Sequence, residues 1–118
     1  MQRARAFLFA GIEDFGIVMA EAQACGTPVI AFARGGAAEI VRAEGSTQPT
    51  GLLFSEQTAE AVLDAVHRFE RDAARFAPES CRANAMRFDR DRFRHRFEEL
   101  LRSHWERFAR ELSASRSC

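Results

Sequence analysis

The stretch that decides the fold runs from Ala6-Phe7-Leu8-Phe9 through Gly11-Ile12-Glu13-Asp14-Phe15-Gly16 and Ile17-Val18-Met19-Ala20-Glu21-Ala22-Gln23-Ala24-Cys25 to Gly26-Thr27-Pro28-Val29-Ile30-Ala31-Phe32. Ala6 to Phe9 is continuously apolar rather than alternating, the pattern of a strand buried on both faces of a parallel sheet. Gly11 to Gly16 reads as a loop. Ile17 to Cys25 is rich in Ala, Met, Glu and Gln, which favour helix, and Gly26 stops it. This helix is apolar on most sides and is expected to be buried. Thr27-Pro28 breaks the chain, and the apolar, partly β-branched run Val29 to Phe32 supplies a second strand.

Outward from there the alternation continues. Gly35-Gly36 precedes a short helical segment from Ala37 to about Arg42, and a polar loop from Glu44 to Thr50 leads into a third strand, Gly51-Leu52-Leu53-Phe54. The next helix starts at Ser55, with Thr58 as a rival cap. Ala59, Val62, Leu63, Val66 and Phe69 keep helical spacing along it. Strands alternating with helices across short connections indicate parallel βαβ units, so the fold class is α/β and Rossmann-like, although strand order is not readable. Pro78 opens a further helix running to about Arg87, and Asp89 caps a last long one. Its apolar residues Phe93, Phe97, Leu100, Leu101, Trp105, Phe108 and Leu112 share one stripe, and residues 113–118 are expected to fray. Residues 1–72 carry the βα units and residues 78–112 the carboxyl-terminal helices. With no repeat or linker, the 118 residues form one domain or part of one.

Composition excludes several functions. The chain is 47% hydrophobic, and its 17 basic and 17 acidic residues balance, so no global charge attracts nucleic acid or an anionic membrane. Arginines crowd the last third, at Arg87, Arg90, Arg92, Arg94 and Arg96, interleaved with Asp89, Asp91, Glu98 and Glu99. They read as a solvated helix face laced with ion pairs, the alternative being peripheral contact with an acidic lipid surface or another domain. Cys25, Cys81 and Cys118 form no CxxC pair and read as reduced cytoplasmic thiols. His67, His95 and His104 lack ligand spacing, so no metal site is expected. Met1-Gln2-Arg3-Ala4-Arg5 and the short apolar run after it make neither a membrane span nor a signal peptide.

The candidate site is the turn from Glu13 to Glu21. It lies just past the carboxyl end of a parallel strand, where open α/β sheets bind ligands. Gly16 lets the backbone come close to a ligand, and the N–H groups of Phe15, Gly16 and Ile17 at a helix start suit a phosphate or a sugar hydroxyl. A carboxylate accepts hydrogen bonds from two vicinal hydroxyls, and Glu13 and Glu21 offer one each from neighbouring elements. Two glutamates eight positions apart are common, however, and the alternative is helix N-terminal charge at Glu13 and a solvated Glu21.

Glu13 to Glu21 matches the E-x7-E motif of GT-B glycosyltransferases. The wider run E-D-F-G-I-V-M-A-E-A-Q-A-C-G-T-P-V-I-A, followed by R-G-G-A-A-E-I-V, resembles glycosyltransferase family 4, closely over residues 5–71 and in pattern beyond. Its E-D-F-G-I and A-Q-A-C-G-T-P variants resemble the bacterial mannosyl- and related transferases of polysaccharide assembly. The resemblance implies a retaining hexosyltransferase that needs no metal or cofactor. In it Glu21 binds the ribose hydroxyls of a nucleotide-sugar donor such as GDP-mannose, and Glu13, the catalytic carboxylate, meets the donor sugar near the reacting centre. The N–H groups around Phe15, Gly16 and Ile17 hold sugar hydroxyls or the diphosphate. The family's basic pair, glycine-rich loop and acceptor-binding domain all precede the strand at which this chain begins. The acceptor, a glycan or lipid-linked sugar, would therefore bind through the absent amino-terminal domain, and the isolated chain is expected to be inactive. Arg34 reads as a surface residue or as a positive charge near the crevice. The aromatic stripe of the last helix, expected to pack partly toward that absent domain, invites self-association. The competing readings are a non-catalytic α/β interaction module or degenerate gene remnant, and an epimerase or phosphorylase of related architecture.

Overall fold

A computed structural model describes residues 1–116, which form two compact units, one spanning Met1–Arg87 and one beginning at Phe88. The first unit runs β1 (Phe7–Phe9), α1 (Ile17–Ala24), β2 (Val29–Phe32), α2 (Ala37–Ile40), β3 (Gly51–Phe54), α3 (Ala59–Asp72) and α4 (Pro78–Ala85). All three strands are parallel and lie in the order β1-β2-β3, with Leu8 beside Ile30 and Ile30 beside Leu52. The α/β class read from the sequence is what the chain adopts, and β2 takes the centre.

Burial follows from that order. Every residue of β2 is buried because it has a strand on each side and helices on both faces. Ile30, Phe32, Leu52 and Phe54 form one cluster with Ala65 and Phe69 of α3 and with Phe76. Strand side chains alternate, so Val29 and Ala31 face the other way, toward the layer where α1 contacts β1, β2 and α4. The expectation that the first strand is buried on both faces fails at Leu8, which is 47% exposed. Among the described residues β1 is the sheet edge, with β2 beside it, and α3 packs over β2 and β3.

Helix ends are set by local chemistry. After α1, Gly26 takes a positive φ of 81°, its N–H donates to Gln23 O, and the Thr27 N–H donates to Ala22 O. This paired closure satisfies the last carbonyls of the helix and turns the chain into β2. α2 stops at Ile40, earlier than expected, because Val41 is already extended. Of the two rival caps before α3, Thr58 is the one used: its backbone is extended and its hydroxyl accepts from the Ala61 N–H at 3.1 Å. Pro78 occupies the first turn of α4, which passes through a 3-10 turn, Met86–Phe88.

Between the helices lies a buried polar cluster. Asn84 Nδ2 donates to Gln23 Oε1 at 2.6 Å and to Ile40 O at 2.6 Å, tying α4 to α1 and to the end of α2. Arg87 Nη1 donates to Asn84 Oδ1 at 2.8 Å. No buried side-chain nitrogen or oxygen among the described residues lacks a partner, so the cluster is satisfied and rigid rather than costly.

The second unit is one helix, α5 (Arg90–Arg116), with Asp89 at its start accepting from the Asp91 N–H at 3.2 Å. Residues 113–116 are helical rather than frayed, and the Ser113 hydroxyl donates back to Ala109 O. Ser117 and Cys118, on which the rest of the fraying expectation falls, lie outside the described residues. No helix among the described residues is long and apolar enough to cross a membrane.

Candidate functional site

The β1–α1 loop lies beyond the carboxyl end of β1, and the β2–α2 loop beyond that of β2. Because β1 and β2 are hydrogen-bonded neighbours, the two loops emerge side by side, and they are packed backbone on backbone. The Gly36 N–H donates to Glu13 O at 2.7 Å. A Cβ on Gly36 would stand 2.0 Å from Phe15 O, and one on Gly35, whose φ is 64°, 2.3 Å from Glu13 O. Only glycines allow this approach, so Gly35-Gly36 clamps the segment that carries Glu13 and Phe15. Sequence reading treated this dipeptide as a connection only. Its signal was a glycine pair directly after a buried strand.

Gly16 is the residue preceding α1, with φ 79° and ψ 53°, and it is buried. A side chain there would meet Met19 Cε at 2.2 Å and lie 3.6 Å from Glu13 Cβ, which places Glu13 immediately beside this corner. No side chain caps α1. Gly16 and Ile17 donate no backbone hydrogen bond to another described residue, so their N–H groups are unclaimed at the positive end of the helix.

α1 buries all but one stripe. Met19, Ala20, Ala22 and Gln23 are buried, leaving Ile17, Glu21 and Ala24, at intervals of four and three, facing out. Ile17 and Glu21 are therefore neighbours on one helix face. Glu13 and Glu21 are both exposed, and neither carboxylate has a hydrogen-bond or ion-pair partner among the described residues. Around them stand the exposed apolar side chains of Ile12, Phe15 and Ile17. The five predicted residues thus lie along one path, from Glu13 past the turn of Phe15 and Gly16 to Ile17 and on to Glu21. Arg34, also exposed, belongs to the adjoining β2–α2 loop.

A groove of about 570 Å³ lies elsewhere, between Ala10 at the end of β1 and the first turns of α3, lined by Gln57, Thr58, Val62, Leu63 and Val66. None of the five predicted residues lines it. Among the described residues no group of three or more His, Cys, Asp or Glu is placed to hold a metal ion.

Parallel strands with helices on both faces, and a glycine-bearing turn at their carboxyl ends, define the doubly wound α/β class, in which that crevice takes the ligand. The chain belongs to the family of glycosyl transferases group 1, whose model matches residues 1–88. It is 48% identical over 54 residues to D-inositol 3-phosphate glycosyltransferase of Mycobacteroides abscessus, a match covering 46% of this chain and 11% of that protein. The enzyme of the same name from Kineococcus radiotolerans is 39% identical over 75 residues, 60% of this chain and 17% of the relative. Among solved structures, sucrose-phosphate synthase from Thermosynechococcus elongatus superposes with a TM-score of 0.67 at 32% identity, over 84% of this chain and 25% of that one. Anabaena HepE, solved in complex with UDP and glucose, gives a TM-score of 0.66 at 29% identity, over 81% of this chain and 27% of that one. The chain spans between a tenth and a fifth of the curated relatives' length and about a quarter of these structures.

Proposed function

We propose that the chain is the donor-binding part of a retaining hexosyltransferase that takes its sugar from a nucleotide-sugar. The observation that carries the reading is the pair of unpartnered carboxylates of Glu13 and Glu21 on either side of the uncapped start of α1, held by the Gly35-Gly36 clamp. Glu21 accepts hydrogen bonds from the two ribose hydroxyls, and charge assistance makes these about twice as strong as neutral ones. The N–H groups of Phe15, Gly16 and Ile17 receive sugar hydroxyls or the diphosphate, favoured by the helix dipole. Glu13 stands against the donor sugar near its reacting carbon, where an oxocarbenium-like charge develops as the diphosphate departs and the acceptor attacks the same face. Catalysis on this scheme is positioning and charge stabilisation, with no metal required.

Bound to HepE, UDP and glucose make UDP-glucose a donor to test beside GDP-mannose. The acceptor, a glycan or lipid-linked sugar, falls on this reading to residues outside this segment, and the whole protein to the cytoplasm and to surface polysaccharide assembly. Two Rossmann-like domains need about 300 residues at usual domain sizes, so the 118 residues alone are expected to bind donor without transferring it.

The test is titration calorimetry of the chain against GDP-mannose, UDP-glucose and the free nucleoside diphosphates. One donor should bind, and Glu21→Ala should weaken it about tenfold or more, the loss of a charge-assisted pair of hydrogen bonds. Equal binding by parent and Glu21→Ala, or sugar transfer by the isolated chain, would overturn this assignment. A chain that binds none of the panel is an interaction module instead.

A further inference from the structure

α2 is a single turn, and the last carbonyls of a helix have no partner inside it. Two of those in α2 are taken by side chains from α4 and the turn after it. Asn84 Nδ2 donates to Ile40 O at 2.6 Å, and Arg87 Nη2 donates to Glu39 O at 3.4 Å. Asn84 is completely buried, and both its N–H groups are committed. The second goes to Gln23 Oε1 at 2.6 Å, while Oδ1 accepts from Arg87 Nη1.

Ile40 links this cluster to the Glu13 segment. Its N–H donates to Gly36 O at 3.0 Å, and the Gly36 N–H donates to Glu13 O at 2.7 Å. The buried Ile40 side chain also reaches the Gly16 corner, its Cδ1 3.9 Å from the place a Cβ on Gly16 would occupy. Gln23 links the cluster to the other carboxylate. It lies two residues beyond Glu21 in α1, buried where Glu21 is exposed. One amide thus holds, by two bonds, the turn behind Glu13 and the helix that carries Glu21.

Building on the donor-binding reading above, we propose that Asn84 is a positioning residue of that site, fixing the separation of the Glu13 and Glu21 carboxylates without touching the donor. Neither α1 nor α2 has a side-chain cap, so their mutual placement rests on packing and on these bonds. Apolar packing is non-directional, whereas two short hydrogen bonds from one planar amide set a register. A cluster needed only for stability could be apolar, because replacing both partners of a buried hydrogen bond by apolar groups of like shape can cost little. A ligand gripped by two carboxylates, by contrast, needs both held to within about 0.5 Å.

Amide hydrogen exchange and titration calorimetry on the full chain test this. Asn84→Asp keeps the shape and removes both N–H donors. Arg87→Ala removes the bonds to Glu39 O and Asn84 Oδ1 from an exposed position. The Gly36 amide should exchange about tenfold faster in Asn84→Asp and about threefold faster in Arg87→Ala, through local opening of the clamp. Loss of stability alone would instead speed sheet amides such as Val29, which donates to Thr50 O and exchanges through global unfolding, and leave Gly36 at its parent rate. With GDP-mannose or UDP-glucose, whichever the parent binds, the dissociation constant should rise about tenfold in Asn84→Asp where circular dichroism shows it folded. Gly36 exchange unchanged in both variants overturns the proposal, and so does parent affinity in a folded Asn84→Asp. If Asn84→Asp does not fold, the threefold change in Arg87→Ala decides. A parent that binds neither nucleotide-sugar refutes the donor reading, and Gly36 exchange still decides whether Asn84 sets the turn.

Discussion

A single methyl group on Gly36 would stand 2.0 Å from the Phe15 carbonyl oxygen and 2.5 Å from the carbonyl carbon, with only backbone in the way. Backbone cannot swing aside as a side chain does, so Gly36→Ala must separate the two loops. The expected cost is about 1–3 kcal/mol of overpacking in urea denaturation, with donor affinity falling alongside it. Asn84 poses the opposite problem, since removing it leaves holes in a satisfied network. In Asn84→Ala, Ile40 O, Gln23 Oε1 and Arg87 each lose a partner, and Ile40 O keeps only the 3.4 Å bond from Gln23 Nε2. A loss of about 2–4 kcal/mol is expected in the same measurement, more than an ordinary exposed hydrogen bond. Both residues lay unremarked as site determinants in the sequence, because a glycine's neighbours and an asparagine's partners are 21 and 61 positions away.

At the scale of elements, the helices divide into those fixed by their own ends and those fixed by packing. α3 has a side-chain cap, and Thr58→Ala is expected to cost about 1 kcal/mol in chemical denaturation. α1 has none, and rests on its buried face and on the Gly26 closure. The difference bears on the proposed donor site, because a side chain capping the first turn of α1 would occupy the N–H groups that the proposal gives to the donor. Element types along residues 7–85 were legible because apolar runs, Gly and Pro punctuate them so regularly. The boundaries that shifted did so for local reasons, as at Val41, where extended backbone cuts α2 short. The end of α5 shifted too, with Ser113 back-bonding to Ala109 where fraying was expected.

For the whole molecule, the alkaline limb of stability isolates one thiol. The chain has no tyrosine, and its 17 basic residues are all arginine, so between pH 9 and 11 cysteine is the side chain that titrates. Burial raises the Cys81 thiol from 9.0 to about 11, against smaller lowering by Arg82 and the backbone, and its Sγ sits 3.8 Å from Thr50 O. The folded state therefore holds its proton more tightly than the unfolded one. Stability should be unaffected by this group below pH 9 and should fall between pH 9 and 11, by up to about 3 kcal/mol. Urea midpoints across that range measure the fall, and Cys81→Ala should flatten it.

The chain's own order of residues determined the α/β alternation, the turn at Gly16 and the membership in a transferase family, because each depends on short-range periodicity or on a motif contiguous in the chain. Only the folded chain decided that β1 is an edge among the described residues and that Leu8 is exposed, since exposure depends on which strands sit alongside. It alone also brought Gly35-Gly36 against Glu13 and Phe15, and Asn84 against Gln23. Those contacts join loops and helices far apart in the chain, and their geometry is set by how parallel strands stack their carboxyl ends together.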